Sequence, residues 1–279
     1  MTVGILTDST AYFAPGEAAA RGVKVVPLYV IFGETTYRDG VDLSIDDFFA
    51  LLTSSKELAR TSQPSAGDFQ RAYSEMAATA QEVVSIHLSS HISGTFNTSA
   101  MAASQMNGNP RVEMVDSKAT SLGQTFVVRD AVDAASRRAS LADVVAVARD
   151  SADKVRTYLA IDTLEYLQRG GRLGRTQALL GAALDVKPIL GLDDEGKIAQ
   201  FARVRTRKKS LDTLIELAGS RGQPRRLAVV DATTPEDAQD VRVRLERVFP
   251  QVPIEVGRAG PVIGVHAGPG MVGIQVQEV

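Results

Sequence analysis

The chain has 279 residues, 44% of them apolar and 23% charged, and a formal net charge of −2. These values suit a globular protein of one large or two ordinary domains; they exclude a disordered or collagen-like chain and do not advertise a nucleic-acid binder. Cysteine is absent and histidine occurs three times, which excludes a disulfide framework, thiolate metal sites and a cysteine nucleophile, and leaves little for an imidazole-rich metal centre.

Val3–Thr7 reads as a short buried strand ending in Asp8-Ser9-Thr10. A helix is expected from Pro15, then a β-branched run over Val23–Ile31. Ser44 with Asp47, and Ser65 with Asp68, have the spacing of capping boxes. They open helices at Ile45–Leu52 and from Ser65 to about Gln81. Val83–Leu88 is a predicted strand. The turn Ser90–Ser93 leads into a helix near Thr95–Met106, and Val112–Val115 is a strand ending at Asp116-Ser117. Helices follow over Gln124–Arg138 and Leu141–Val155. Short apolar strands alternating with helices predict a parallel-sheet α/β/α unit.

Beyond about Arg156 the texture changes. Tyr158–Ile161 is a predicted strand, and Leu164–Gln168 precedes a glycine-rich stretch. Lys187–Leu192 and Lys197–Val204 read as strands joined by the turn sequence Asp193-Asp194-Glu195-Gly196. Leu211–Ala218 is a helix, Arg226–Val230 a strand, and Pro235–Val248 a helix opened by proline. Val262–His266 and Met271–Val276 are read as two strands around Ala267-Gly268-Pro269-Gly270. Neighbouring strands without an intervening helix predict a mixed-sheet α/β domain at 157–279, after an N-terminal α/β domain at 1–156. No stretch approaches the ~18–20 apolar residues of a membrane span. The first residues lack the basic region of a secretory signal. A cytoplasmic protein without stable membrane insertion is expected.

Gly268-Pro269-Gly270-Met271-Val272-Gly273 matches GxGxxG, but a β-like run follows instead of the helix that a dinucleotide pyrophosphate needs. There is no GxxxxGK[ST] phosphate loop. His87 and His91 are four apart on a strand end and turn, where that spacing does not bring the rings together; surface or hydrogen-bonded histidines are expected. Ser93-Gly94-Thr95 places hydroxyls and backbone N–H groups at a strand-to-helix turn, suited to an anion or simply to capping. Thr61-Ser62-Gln63-Pro64-Ser65 is a second hydroxyl-rich loop, expected at the same sheet edge, where ligands of doubly wound folds bind. Arg169, Arg172 and Arg175 stand among three glycines, and guanidinium suits carboxylate or phosphate. Arg203–Lys209 holds five basic residues in seven, a solvated face or a docking surface. Ser93 with His266 leaves a serine esterase or thioesterase open, although there is no GxSxG elbow. Arg203–Lys209 leaves a nucleic-acid-associated regulator open, although no aromatic residue is interleaved.

Taken in order, these elements resemble the DegV family of bacterial fatty-acid-binding proteins along essentially the whole chain. The resemblance rests on Asp8-Ser9-Thr10, Thr61–Ser65, Ser89-x-x-x-Ser93-Gly94-Thr95, and Asp116-Ser117 with Ser121-x-Gly123. It continues through Tyr166–Gly174, Lys187-Pro188-Ile189, Arg203–Lys209 and His266-x-Gly268-Pro269-Gly270. Gln168 stands where a lysine is common, and Gln124-Thr125 where the family often has another glycine. The resemblance implies a non-catalytic carrier with one long-chain fatty acid in a buried tunnel and no cofactor or metal. It would hand the acyl chain to a separate fatty acid kinase that phosphorylates the carboxylate. Thr61 and Ser93, with Gly94 beside them, would hold the carboxylate. Arg169 and His266 would complete the polar network, and Arg172, Arg203 and Arg205 would face the kinase. No nucleic-acid partner is implied.

Overall fold

The computed structural model describes residues 3–55, 57–173 and 186–279. The first part of the chain forms β1 (Val3–Asp8), α1 (Glu17–Ala20), β2 (Val23–Val26), β3 (Tyr29–Phe32), β4 (Thr35–Arg38), α2 (Ile45–Ser54), β5 (Ala59–Ser62) and α3 (Ala66–Ala77). It continues with β6 (Glu82–His87), α4 (Thr95–Ser104), β7 (Arg111–Asp116), α5 (Ser121–Ser136) and α6 (Leu141–Lys154). Then come β8 (Val155–Ala160), α7 (Glu165–Arg169), β9 (Lys187–Leu192), β10 (Ile198–Val204), α8 (Arg207–Ala218), β11 (Pro224–Asp231), α9 (Pro235–Val248), β12 (Ile254–Arg258), α10 (Pro261–Ala267) and β13 (Val272–Glu278).

Among the described residues the strands form three sheets. β2-β1-β6-β7 is wholly parallel. β10-β9-β8-β13-β11-β12 is mixed, parallel only between β11 and β12. β4-β3-β5 is a small antiparallel sheet inserted between β2 and β6. The mixed α/β architecture expected from the alternation is the one found. Helices α3 and α4 cover one face of the parallel sheet, and α8 and α9 the outer face of the mixed sheet. Helices α5 and α6 lie between the two sheets and pack on both. α5 is therefore buried on almost every side, with Leu122, Phe126, Val127 and Ala131 in one core that reaches from Ile5 to Val230. A helix buried on most sides does not show a clear amphipathic stripe, and the polar residues of α5, such as Gln124 and Asp130, are met by hydrogen-bond partners instead of solvent.

Local chemistry explains most boundaries. Ser44 accepts from the Asp47 N–H at 3.1 Å, and Ser65 and Asp68 close a complete capping box. The run read over Val23–Ile31 is two strands, because Pro27 has no N–H to give a ladder. The largest correction is Val262–His266, which is helix, not strand. Pro261 opens it at the first turn and Gly268, at φ 75°, ends it. Its β-branched residues are overridden by packing: Gly264 sits against Phe48 and Phe49, where a Cβ would come within 2.4 Å of the Phe48 ring. The β12 strand, and β4 and β5 of the inserted sheet, are further elements that the sequence reading does not place.

Candidate functional site

A cavity of about 100 Å³, open on one side, lies between the C-terminal edge of the parallel sheet, the mixed sheet and α10. Its walls are mostly apolar: Leu28 and Leu88 from the parallel-sheet side, Leu159 and Ile161 from β8 and its end, Leu190 and Leu192 from β9, and Val262 and Ile263 from α10. Leu159 and Ile161 alternate along one strand and so face the same side. Gln63 and Arg172 line the cavity and are exposed, which marks its mouth.

Thr61, Ser93 and His266 all line this cavity. Thr61 is carried on β5 rather than in a loop, and His266 on α10. Thr61 Oγ1 and His266 Nε2 are 2.8 Å apart. The His266 Nδ1 is buried and has no hydrogen-bond partner among the described residues. It faces Gly170, where a Cβ would lie 2.2 Å from that nitrogen. Burial, and then the positive charge of Arg172, hold the His266 imidazole down at a pKa of about 4. The ring is neutral at pH 7 and has one N–H to give. Ser93 Oγ lies 2.9 Å from Thr95 Oγ1, just ahead of α4. Gly94 is the residue before that helix; a Cβ there would meet Gln63 Oε1 at 2.2 Å, so glycine lets Gln63 lie across the turn and donate to Thr98 at 2.5 Å.

The arginines are distributed differently from expectation. Arg169 is exposed, pairs with Glu165 one helical turn earlier and does not line the cavity. Leu167 of the same short helix does face the cavity, and two residues on is about 200° round the axis. Arg172, assigned to the docking surface, lines the cavity mouth and donates to the Gly170 carbonyl at 2.7 Å. Arg203 and Arg205 are exposed, whereas Arg207 is engaged by Asp237 and Lys209 by Glu216. Gly174 and Arg175 lie outside the described residues. The Ser93–His266 pair needed by an esterase is not formed: each is hydrogen-bonded to a threonine, Thr95 and Thr61 respectively.

A second constellation has the residue types of a hydrolase but no access. Asp8 Oδ2 and His87 Nδ1 are 2.9 Å apart, and His87 Nε2 is 2.8 Å from Ser99 Oγ; all three residues are fully buried. Burial pushes the Asp8 carboxyl up, but hydrogen bonds from His87, Thr10 and the Leu88 N–H outweigh it, and the net shift is downward. Gln124 joins the same cluster, donating to Thr7 and Asp8 and accepting from Thr10. The cluster ties β1, β6 and α5 together and gives Asp8 and Thr10 a structural role, while Ser9 donates separately to Asp39. His91 is exposed, four residues but a whole turn away. Gly268-Pro269-Gly270 leads into β13, so it offers no helix N-terminus to a dinucleotide. Among the described residues no group of three or more acidic or histidine side chains gathers where it could hold a metal ion. No helix among them is long and apolar enough to cross a membrane.

The fold and cavity together define an α/β protein with a parallel sheet, a mixed sheet and, between them, an apolar pocket with a hydroxyl–imidazole mouth. The chain belongs to the DegV family: the family described as "Uncharacterised protein, DegV family" matches residues 2–279. Protein DegV of Bacillus subtilis is 38% identical over 278 residues, 98% of each chain. The crystal structure of DegV from Bacillus subtilis, described as a fatty acid binding protein, superposes with a TM-score of 0.90 at 35% identity, covering all of both chains. A Thermus thermophilus DegV family protein, described for its fatty acid binding, matches with a TM-score of 0.90 at 31% identity, again over the whole of both chains.

Proposed function

We propose that this protein carries a long-chain fatty acid, with the acyl chain in the cavity and the carboxylate at its mouth, and presents it to a separate fatty acid kinase. The observation that carries the reading is that the Thr61–His266 pair and Ser93 all line one mostly apolar cavity. In this reading the neutral His266 donates from Nε2 to Thr61, which frees the Thr61 O–H to donate to the carboxylate. Ser93 supplies a second hydroxyl, and Arg172 the positive charge that favours an ionised head group. About 14 buried methylenes at ~0.8 kcal/mol each offer ~11 kcal/mol of transfer free energy before ordering costs. Affinity then comes from the tail and specificity from the head.

The carrier role, without catalysis, fits the engaged state of Ser93 and His266. Phosphoryl transfer needs positioned Mg-ATP, which the reading assigns to the partner. Arg203 and Arg205 are free of acidic partners in the hydrogen bonds and ion pairs of the described residues, and they form the proposed docking surface. The proposed domain division stays at residue 156, next to the start of β8, and the proposed location is the cytoplasm. The deciding experiment is organic extraction and mass spectrometry of the purified protein. A stoichiometric fatty acid supports the proposal; its absence, with no uptake of added fatty acid, overturns it.

A further inference from the structure

The cavity holds a polar group outside the set proposed above for the carboxylate. Thr120 lines it, is 6% exposed, and its Oγ1 has no hydrogen-bond partner among the described residues. The position is the residue before α5, where threonine ordinarily accepts from a backbone N–H of the first turn. That cap bond is not made here; the backbone is extended at φ −155° and ψ 173°. The hydroxyl is therefore left over in an oily wall, where an alkyl chain cannot satisfy it.

A second hydroxyl lines the same cavity. Thr157 of β8 lines the cavity and is buried, and its O–H donates to Gln275 Oε1 at 2.6 Å. That leaves its oxygen free to accept. Gln275 Oε1 in turn sits over Gly123, where a Cβ would meet it at 2.6 Å, and Gly123 is one helical turn beyond Thr120. Thr120 and Thr157 are buried, whereas Gln63 and Arg172 at the mouth are exposed. Leu88, Leu159 and Leu190 are also in the lining.

We infer that the acyl cavity contains an interior subsite, centred on Thr120, for an oxygen substituent on the chain, so that a hydroxy fatty acid is a ligand of this protein. The Thr120 O–H donates to the ligand hydroxyl, and the ligand hydroxyl donates to an acceptor such as Thr157. This rests on the fatty-acid reading of the cavity and adds to it a preference that an all-apolar tunnel would not have.

Competitive displacement with stearate and with hydroxystearates differing in hydroxyl position tests it. In the native protein, at least one positional isomer is expected to bind as tightly as stearate. Thr120→Val is expected to lower the hydroxystearate-to-stearate affinity ratio about tenfold for that isomer, and Thr120→Ser to retain the ratio. A ratio unmoved by Thr120→Val, or every isomer binding far more weakly than stearate to the native protein, overturns the subsite and leaves the fatty-acid reading standing. Failure of stearate itself to bind overturns both. Should Thr120→Val fail to fold, a Thr120→Ser variant that loses the preference also overturns the inference.

Discussion

Thr61 and His266 touch across 205 residues of sequence, with Oγ1 and Nε2 2.8 Å apart. The contact joins β5 of the inserted sheet to α10 near the C-terminus, and it closes one side of the cavity mouth. Neither residue has this neighbour until the inserted sheet and α10 dock on each other.

Removing the Thr61 hydroxyl with Thr61→Val should weaken fatty-acid binding about ten- to a hundredfold, since hydrogen bonds to charged groups contribute ~1.5–3 kcal/mol. Ser93→Ala should act in the same direction. A fluorescent fatty-acid displacement assay measures both, and thermal unfolding checks that the fold persists. Unchanged affinity in both variants contradicts the head-group assignment.

Two buried groups should tilt stability against pH in opposite directions. His266 is held at about 4 in the folded protein against an ordinary 6.5. Between those values the unfolded chain carries a proton that the folded one does not, so stability rises with pH across that window and is lost on acidification. Asp39 is pushed up by burial to about 7 from an ordinary 3.8, although Ser9 donates to it at 2.7 Å. The folded state then holds the extra proton, so its contribution falls as pH rises between those values. The His266 window is worth on the order of 3 kcal/mol and the Asp39 window on the order of 4. Urea titrations at several pH values should show His266→Gln flattening the acid loss, and Asp39→Asn gaining more at about pH 8 than at about pH 5.

Gly170 is a packing requirement of the site. A methyl there would sit 2.2 Å from His266 Nδ1, so Gly170→Ala must displace the imidazole from Thr61. Fatty-acid affinity should drop about tenfold or more, in line with one lost hydrogen bond of ~1.5 kcal/mol. The NMR signals of the His266 ring should move with it. A variant with native affinity and an unmoved ring would contradict this.

Neutralising Arg203 and Arg205 to glutamine should leave fatty-acid binding intact and reduce kinase-dependent acyl-phosphate formation, with the native protein's coupling weakening as salt rises. Coupling that is unchanged in the double variant rules out this surface as the docking site.

Much of the framework is written in short-range chemistry. The capping pairs Ser44–Asp47 and Ser65–Asp68, the alternation of apolar strands with helices, and the turn at Asp193–Gly196 each act within a few residues and were legible in order. Helix α10 also has local signals, because Gly260-Pro261 and Gly268 bracket it as a helix start and stop. Its Val and Ile content pointed the other way, and only the Phe48 and Phe49 rings that receive Gly264 decide between them.

The series of motifs along the chain determined the family and the residue types at the site. Tertiary structure alone decided which of those residues meet. Arg169 and Arg172 are three apart and chemically alike, yet one pairs with Glu165 on the surface and the other lines the cavity. Thr120 carried no sequence signal at all, since a threonine before a helix looks like an ordinary cap. The reason is physical: caps and periodicity are set by neighbours in the chain, whereas a binding site is set by the relative placement of two sheets and the helices between them.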